Sequence, residues 1–270
     1  MSSQDLPPLM GYGTWNRNAQ ETYDGVTAAL EIGYRHIDCA QSYYNEQDVG
    51  RAIAASGLRD EIFLTTKVDP EQYAKGKLLP SVEISLEKLQ TAQVDLLLLH
   101  WPSPHDQVPL EVYVEQLAQV FDHGLCKYIG VSNFTIPLID KAIRLLGERA
   151  LLNNQIEIHP FLQNRPIVEH CQALGITTTA YCPIARGEVI GNAVLKAIAK
   201  QHNASEVQIS LAFLMAEGHA VIPAARSRTR IQENFNALKI QLSGEEMQKI
   251  RALDKGMRLV DGAWCPKWDV

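Results

Sequence analysis

Short apolar and β-branched runs recur along the chain, and segments of helical periodicity separate them. The predicted strands are RHID at 35–38, IFLTTK at 62–67, VDLLLLH at 94–100, YIGVS at 128–132, NNQIEI at 153–158, TTTAY at 177–181, AVIPA at 220–224 and a weaker eighth, LKIQL, at 238–242. The helical segments include TYDGVTAALEIG, LLPSVEISLEKLQ, LEVYVEQLAQVFDHG and EVQISLAFLMAEG, where apolar residues fall three and four apart. Strands that read as continuous apolar runs are typical of a parallel sheet covered by helices. Seven or eight such units predict an α/β fold, the closed (β/α)8 TIM barrel.

The length of the chain agrees with one barrel. At 270 residues the chain is close to the roughly 250 that a (β/α)8 barrel needs, and no Ser/Gly/Pro-rich linker divides it. We therefore expect a single domain over residues 1–270. The final segment, GMRLVDGAWCPKWDV at 256–270, has no clear period. Its two tryptophans and one proline predict an ordered loop folded over the barrel mouth, with an exposed disordered tail as the alternative.

The charge and the apolar content exclude several classes of partner. A formal net charge of -6 disfavours nonspecific binding to nucleic acid or to acidic membranes. No segment approaches the roughly 18 consecutive apolar residues of a membrane span, and the N-terminal residues lack a basic region followed by an apolar run. We expect a cytoplasmic protein with neither a nucleic-acid nor a membrane partner.

The cysteines and histidines indicate neither disulfides nor a metal site. The chain has five cysteines without a CxxC pair, and an odd number in this context predicts reduced thiols. None of the eight histidines lies in an HExxH motif, and no group of cysteines and histidines has zinc-ligand spacing. We therefore predict no metal.

Polar residues stand where the predicted strands end, which is where a barrel of this kind carries its chemistry. They are Asp38, Lys67, His100, Ser132 with Asn133, Gln155 within the fifth strand, and Tyr181. Each has an ordinary structural alternative: an aspartate can cap the next helix, a lysine can be an ion-pair partner, and a histidine can be a satisfied core residue. Their succession on six strands favours an organised site.

Carbonyl reduction is the chemistry that fits this combination, because a hydride must reach carbon while a proton reaches oxygen. A free tyrosine has a pKa of about 10 and therefore holds its proton at neutral pH, while a nearby cation can ease its loss. Tyr43 lies in a mouth loop five residues after Asp38. In this interpretation Lys67 supplies the positive charge, Asp38 holds the ammonium, and His100 orients the substrate carbonyl.

The sequence resembles the aldo-keto reductase family over nearly its whole length. The stretch GYRHIDCAQSYYNEQDVG from Gly33 to Gly50 resembles the first signature of that family, and KYIGVSNF at 127–134 resembles the second. The resemblance implies that Asp38 and Tyr43, with Lys67 in LTTK and His100 in LLLLHWP, form the catalytic tetrad. It also implies an NADPH-dependent enzyme.

The resemblance implies further contacts to cofactor and substrate. Ser132, Asn133 and Gln155 would bind the nicotinamide carboxamide, and Tyr181 would stack on the nicotinamide ring, with a core aromatic at the barrel rim as the alternative. Trp15 in GYGTW and Trp101 in HWP resemble the aromatic walls of the substrate pocket. For Trp101, ordinary packing beside Pro102 is the competing interpretation.

The third motif of the family is where this sequence departs from the pattern. Ala224 and Ala225 stand where the family usually has Lys-Ser, so the lysine that contacts the 2′-phosphate of NADPH is missing. The resemblance implies contacts to the 2′-phosphate and the adenine from Arg230, Glu233 and Asn234, with added charge from Arg226 and Arg228. The segment ARSRTR is expected to open a helix, whose N–H groups favour an anion; a solvated basic run is the alternative. NADPH is favoured, with NADH as the alternative cofactor.

Among the members of the family the chain most resembles compact bacterial reductases, such as those of 2,5-diketo-D-gluconate. HWPSP, SNFTIPLIDKAI and NNQIEIHPFLQNR carry this resemblance, which implies a monomer acting on small carbonyl compounds, diketo-sugar acids and methylglyoxal among them. One alternative is an NADPH-binding sensor or regulatory subunit with little turnover. Another, a metal-dependent aldolase or hydrolase barrel, would need ligand clusters at the strand ends. A dinucleotide-binding Rossmann fold is rejected, because GYG at 11–13 lacks the third glycine and a preceding strand.

Overall fold

The computed structural model describes residues 6–269, and eight strands alternate with ten helices in that part of the chain. The strands are β1 (Tyr12–Gly13), β2 (His36–Asp38), β3 (Phe63–Val68), β4 (Val94–Leu99), β5 (Cys126–Ser132), β6 (Leu151–Glu157), β7 (Thr177–Tyr181) and β8 (Ala220–Val221). The helices are α1 (Ala19–Ile32), α2 (Glu46–Ser56), α3 (Leu78–Leu89), α4 (Leu110–Asp122), α5 (Ile136–Leu146), α6 (Arg165–Ala173), α7 (Ala193–Gln201), α8 (Glu206–Ala216), α9 (Arg228–Asn236) and α10 (Gly244–Arg251).

The strands form a closed parallel barrel. Each strand pairs with the next one along the chain, from β1 through to β8. The ring closes where Met10 pairs in parallel with Val221, with Gly11 N donating to Val221 O at 2.8 Å and Val221 N to Leu9 O at 2.7 Å. The predicted (β/α)8 barrel is therefore confirmed.

One predicted strand is wrong. LKIQL at 238–242 forms no strand: its first residues belong to a 3-10 turn, Ala237–Lys239, and Leu238 is exposed. The eighth strand is instead β1, which has only two residues and carries no apolar run that a sequence pattern could detect. The segment AVIPA is also shorter than predicted, since only Ala220 and Val221 pair with β7.

The alternation of side chains along the strands determines which residues face the interior of the barrel. Phe63, Leu96 and Leu98 pack together in a small apolar cluster apart from the main core. Because successive side chains of a strand point to opposite faces, Lys67 lies on the same face as Phe63, and His100 on the same face as Leu98. The interior of the barrel thus changes from apolar to charged at the carboxyl ends of its strands.

Local capping fixes where the helices begin and end. Asn18 and Glu21 form a capping box at the start of α1, and Gly33 ends that helix with a φ of 118°, a conformation that favours glycine. The segment ARSRTR at 225–230, called the basic segment from here on, opens a helix as expected. Ser227 caps α9 by accepting a hydrogen bond from Arg230 N. No helix within residues 6–269 combines the length and the apolar character needed to cross a bilayer.

The segment after α10 is an ordered loop across the mouth of the barrel, as predicted. Residues 256–269, called the tail below, contain neither helix nor strand. The ring of Trp268 meets the ring of Trp101 edge to face at a centroid separation of 6.2 Å. At the far end of the tail, Asp269 Oδ2 accepts a hydrogen bond of 2.8 Å from Ile136 N at the start of α5.

Candidate active site

A cavity of about 690 Å³ opens at the carboxyl ends of the strands. Its volume falls within the range of small-molecule and cofactor sites. Nine of the residues singled out from the sequence line it: Trp15, Asp38, Tyr43, His100, Trp101, Ser132, Asn133, Gln155 and Tyr181. The fold thus gathers, in one place, side chains that lie more than 160 positions apart in the sequence.

A buried ion pair forms the floor of this cavity. Lys67 Nζ donates to Asp38 Oδ1 at 2.5 Å and to the carbonyl oxygen of Cys39 at 2.9 Å, and the side chains of Lys67 and Asp38 are 0% and 1% exposed. The same ammonium lies 3.3 Å from the hydroxyl of Tyr43, which closes a 3-10 turn at Gln41–Tyr43. A buried charge is tolerated only when it is paired and hydrogen-bonded, so this arrangement holds the ammonium in one position.

Burial and charge set the protonation states around this pair. Burial raises the pKa of Tyr43 to about 12, although the Lys67 charge works in the opposite direction. Burial lowers the pKa of Lys67, but the Asp38 charge, Tyr43 and the hydrogen bond outweigh it and the pKa rises above its usual value. Burial and then the Lys67 charge hold the pKa of His100 well below 6.5. At neutral pH the tyrosine is therefore protonated, the lysine charged and the histidine neutral.

His100 follows β4 and is fixed on both sides. Its Nδ1 lies 3.1 Å from the hydroxyl oxygen of Ser42, and its carbonyl oxygen accepts a 3.1 Å bond from Asn133 Nδ2. The rings of His100 and Tyr43 meet edge to face, with centroids 5.6 Å apart and an interplanar angle of 74°. The neutral imidazole and the phenol hydroxyl therefore stand together at the bottom of the cavity.

The polar ends of β5, β6 and β7 are joined to this ion pair. Gln155 Nε2 donates to Asp38 Oδ2 at 2.8 Å, and the Ser132 hydroxyl donates to Gln155 O at 2.7 Å. The Tyr181 hydroxyl donates to Asn133 Oδ1 at 2.8 Å, and Asn133 adopts a left-handed φ of 62°. Amide and hydroxyl groups from three strands thus present both donors and acceptors beside the Asp38 and Lys67 pair.

The cavity residues that were not assigned to the site from the sequence include four from loops and from the tail. Arg17 follows β1, Arg186 lies in the loop after β7, and Val260 and Trp264 belong to the tail. The guanidinium of Arg186 lies 5.8 Å from the ring centroid of Trp15, within reach of a cation–π interaction. The tryptophans of the tail were the one sequence signal that pointed to this wall; nothing in the local pattern distinguished the arginines.

The basic segment lies outside the cavity, on the surface beside α1. Ala224 lines the cavity, whereas Arg226 and Arg228 form exposed ion pairs with Glu21 and Glu31 respectively. Within the described part of the chain, Arg230 forms no ion pair. Glu233 is exposed, and Asn234 is buried on α9.

The described residues form no cluster suited to a metal ion. In residues 6–269, no group of three or more His, Cys, Asp and Glu side chains is arranged to hold a metal ion. The acidic residue of the cavity, Asp38, is instead engaged by Lys67 and Gln155.

Comparison with known proteins identifies relatives over almost the full chain. The sequence profile of the Aldo/keto reductase family matches residues 9–255. The chain is 44% identical over 264 residues to methylglyoxal reductase DkgB of Escherichia coli O157:H7, an alignment that covers 97% of this chain and 99% of that relative. It is 38% identical over 258 residues to methylglyoxal reductase DkgA of Yersinia pestis, covering 94% and 91% of the two chains.

Solved structures agree with the sequence comparison. A protein assigned as a 2,5-diketo-D-gluconic acid reductase B superposes with a TM-score of 0.94 at 35% identity, covering 98% of this chain and 94% of that one. An aldo-keto reductase of Bombyx mori, crystallised in complex with NADP, superposes with a TM-score of 0.87 at 32% identity, covering 94% and 91%. The likeness thus extends over the whole barrel and its mouth.

Proposed function

Because the chain belongs to the aldo/keto reductase family, we propose that its cavity binds NADPH beside a small carbonyl compound and that Tyr43 supplies the proton for the reduction. The chain is an oxidoreductase that reduces carbonyl groups, as its family and its relatives named methylglyoxal reductase indicate. The observation that carries the proposal for Tyr43 is its protonated hydroxyl, 3.3 Å from a buried ammonium at the floor of the cavity.

The residues present fit NADPH. A nicotinamide carboxamide needs both donors and acceptors, and Ser132, Asn133 and Gln155 offer both at neighbouring strand ends. A diphosphate needs cations, and Arg17 and Arg186 line the same cavity. When bound, NADPH supplies the hydride that reaches the carbonyl carbon.

The outer part of such a cofactor would extend toward α9. Ala224 connects the cavity to the basic segment, where Arg226, Arg228 and Arg230 surround the capped N-terminus of the helix. Guanidinium groups and free helix N–H groups are both suited to a phosphate monoester. We assign the 2′-phosphate to these arginines and the adenine to Glu233 and Asn234.

Tyr43 performs the proton step. Its raised pKa keeps the proton on the hydroxyl at neutral pH, so the residue can donate it to the carbonyl oxygen as that oxygen gains negative charge. The Lys67 ammonium, 3.3 Å away, stabilises the negative charge that then develops on the phenol oxygen. Asp38 does not touch the substrate in this scheme; it is a positioning residue that holds the ammonium.

His100 orients the substrate without changing its own charge. Since its low pKa keeps the imidazole neutral, it can hydrogen-bond the substrate oxygen and leave Tyr43 as the proton source. Trp15 and Trp101 line the cavity above these two groups and provide apolar walls. The cavity therefore accepts a small carbonyl compound whose oxygen points to the floor.

The relatives suggest which carbonyl compounds to test. Two of them are named as reductases of methylglyoxal and one as a reductase of 2,5-diketo-D-gluconic acid. We propose that the substrate belongs to this class of small dicarbonyl compounds. The apolar walls formed by Trp15 and Trp101 suit both compounds.

The decisive experiment follows NADPH oxidation by its absorbance. The purified protein is mixed with methylglyoxal, 2,5-diketogluconate and aromatic aldehydes, and each assay is repeated with NADH. We expect turnover with NADPH for at least one dicarbonyl compound. Tight NADPH binding without turnover on the whole panel would contradict the proposal and favour an NADPH sensor.

We also propose that the protein works in the cytoplasm as a monomer that binds neither nucleic acid nor membranes. The five cysteines are free thiols, and Cys39, Cys126 and Cys171 are buried, as expected for a reducing compartment. The net charge of -6 disfavours polyanionic partners. Light scattering after size exclusion tests the monomer: a mass near 30.1 kDa is expected, and twice that mass would overturn this part of the proposal.

A further inference from the structure

A buried carboxylate at the mouth of the barrel has no part in the proton step. Glu157 is the last residue of β6, two positions after Gln155 and therefore on the same interior face, and its side chain is 0% exposed. Within the described residues it has no lysine or arginine partner. A carboxylate in such a place requires hydrogen bonds from other sources.

The tail supplies most of those hydrogen bonds. Leu259 N donates to Glu157 Oε1 at 2.8 Å, and Val260 N donates to Glu157 Oε2 at 2.9 Å. His159 Nε2 lies 3.0 Å from Oε1, and its own Nδ1 is buried without a partner among the residues described. Two adjacent backbone N–H groups of the tail therefore bind the two oxygens of one side chain.

A second connection runs from Glu157 into the tail. Asn164 Nδ2 donates to the carbonyl oxygen of Glu157 at 2.6 Å, and Asn164 Oδ1 accepts a 2.9 Å bond from Arg258. The guanidinium of Arg258 lies 3.9 Å from the ring centroid of Trp268, whose edge-to-face partner is Trp101. Trp101 directly follows His100, so this chain of contacts ends beside the proposed reacting groups.

We propose that Glu157 is a specificity-determining positioning residue, which holds the tail as one wall of the substrate pocket. Val260 is bound by Glu157 directly, and both Val260 and Trp264 line the cavity. A buried charge contributes little to stability compared with an apolar residue of the same volume, so a positioning task accounts for its presence better than stability does. The inference rests on the proposed function for the identity of the pocket, but the contact with the tail does not depend on it.

The variant Glu157→Gln tests the inference without changing volume. Glutamine has one oxygen and one NH2 group, so in either orientation one of the two tail N–H groups faces another donor. We expect amide hydrogen exchange of the tail to accelerate, and KM for an aromatic aldehyde to rise about tenfold through loss of a buried hydrogen bond. The kcat at saturation and the Kd of NADPH should stay within about twofold, because neither the floor nor the cofactor side is touched.

Three further variants keep the test specific. Glu157→Asp retains both oxygens at a shorter reach and should give an intermediate KM. Asp261→Asn, in the same tail, keeps the oxygen that accepts from Trp268 Nε1 and should behave as wild type. Val260→Pro removes one N–H donor from the tail side and should reproduce the KM effect even if Glu157→Gln folds poorly.

The outcomes separate the inference from the proposed function. Unchanged tail exchange and unchanged KM in Glu157→Gln would overturn the inference. Equal losses in kcat, KM and NADPH affinity would also overturn it, since they would indicate a general structural role. A wild-type protein without reductase activity would refute the proposed function alone, while accelerated tail exchange in Glu157→Gln would still establish the contact.

Discussion

Two ion pairs of this protein join similar charges in opposite surroundings. Lys67 and Asp38 are buried at the floor of the cavity, with side chains 0% and 1% exposed, whereas Arg228 and Glu31 lie on the surface at 60% and 56%. Inside the barrel, water cannot replace a lost partner, so each charge depends on the other. On the surface water replaces the partner readily, and a bound phosphate can do the same.

This difference separates the proposed catalytic floor from the proposed binding site for the 2′-phosphate. The buried pair is held by several hydrogen bonds, which keep the ammonium beside Tyr43. The surface arginines have carboxylate partners that an incoming anion must displace. We therefore expect substitutions at the floor to have large effects and those at the surface to have small ones.

The largest effect is expected for Tyr43→Phe, which removes the proposed proton donor. Turnover should fall by about 10²–10⁴-fold, the usual contribution of a positioned acid. The Kd of NADPH should hardly change, because the hydroxyl lies at the floor and not among the proposed cofactor contacts. Single-turnover kinetics and a fluorescence titration measure the two quantities, and unchanged turnover on a confirmed substrate would exclude Tyr43 as the donor.

The next largest effect is expected for Asp38→Asn, which tests the buried ion pair itself. The substitution keeps the shape but leaves the Lys67 ammonium without its counter-charge, which should lower the free energy of unfolding by about 3–5 kcal/mol. Urea denaturation measures this loss. A change below about 1 kcal/mol, the range of surface pairs, would show that burial does not set the strength of this ion pair.

A buried histidine far from the mouth tests whether burial without an ion pair also changes the stability of the protein. Burial lowers the pKa of His219 from 6.5 to about 4, and its Nδ1 lies 2.7 Å from the hydroxyl of Thr178. Because the folded pKa is depressed, the stability contributed by His219 is complete above pH 6.5 and is lost as the pH falls toward 4. The loss should approach about 3 kcal/mol by pH 4.

The variant His219→Asn isolates this contribution. It does not titrate in this range, so its Tm should fall less steeply than that of the wild type between pH 6.5 and pH 4. Two further histidines with lowered pKa values, His36 and His100, are present in both the wild type and the variant. The difference between the two Tm curves therefore reports on His219 alone. Parallel Tm curves would show that His219 does not titrate as its burial requires.

Arg230→Ala tests the proposed phosphate contact on the exposed surface. Arg230 is the one arginine of the basic segment without an ion pair among the described residues, so no carboxylate competes with a phosphate for it. We expect the Kd of NADPH to rise about tenfold, as for the loss of one charged hydrogen bond, while the Kd of NADH changes little. Equal weakening of both cofactors would argue against a 2′-phosphate contact.

The sequence predicted best those elements that contain their own signal. The six strands β2 to β7 each carry an apolar or β-branched run that ends in a polar side chain, and this change of character located Asp38, Lys67 and His100. The two-residue strand β1 carries no such run: it is defined by its pairing with β2, and the barrel closes just before it, where Met10 pairs with Val221 more than 200 positions away. The segment LKIQL has an apolar run but forms no strand, because the barrel is complete with β1 and offers no free strand edge for it.

The parts of the site that depend on tertiary packing were not predictable from local pattern. Arg17 and Arg186 reach the cavity from two loops whose separation only the closed barrel fixes. Glu157 stood in the matched stretch NNQIEIHPFLQNR, yet its role depends on two backbone N–H groups about a hundred positions later. A single sequence does not contain such pairings in any periodic form.

The smallest effect is expected for Glu31→Gln, the surface counterpart of Asp38→Asn. The same change from carboxylate to amide should alter the free energy of unfolding by less than about 1 kcal/mol, because both side chains are exposed. It should instead tighten NADPH a few-fold at low salt, since Arg228 no longer has a carboxylate to give up, and the gain should fade as salt screens the charges. NADH, which lacks the 2′-phosphate, should bind equally well to both proteins. A loss of stability as large as that of Asp38→Asn would show that exposure does not distinguish the two pairs.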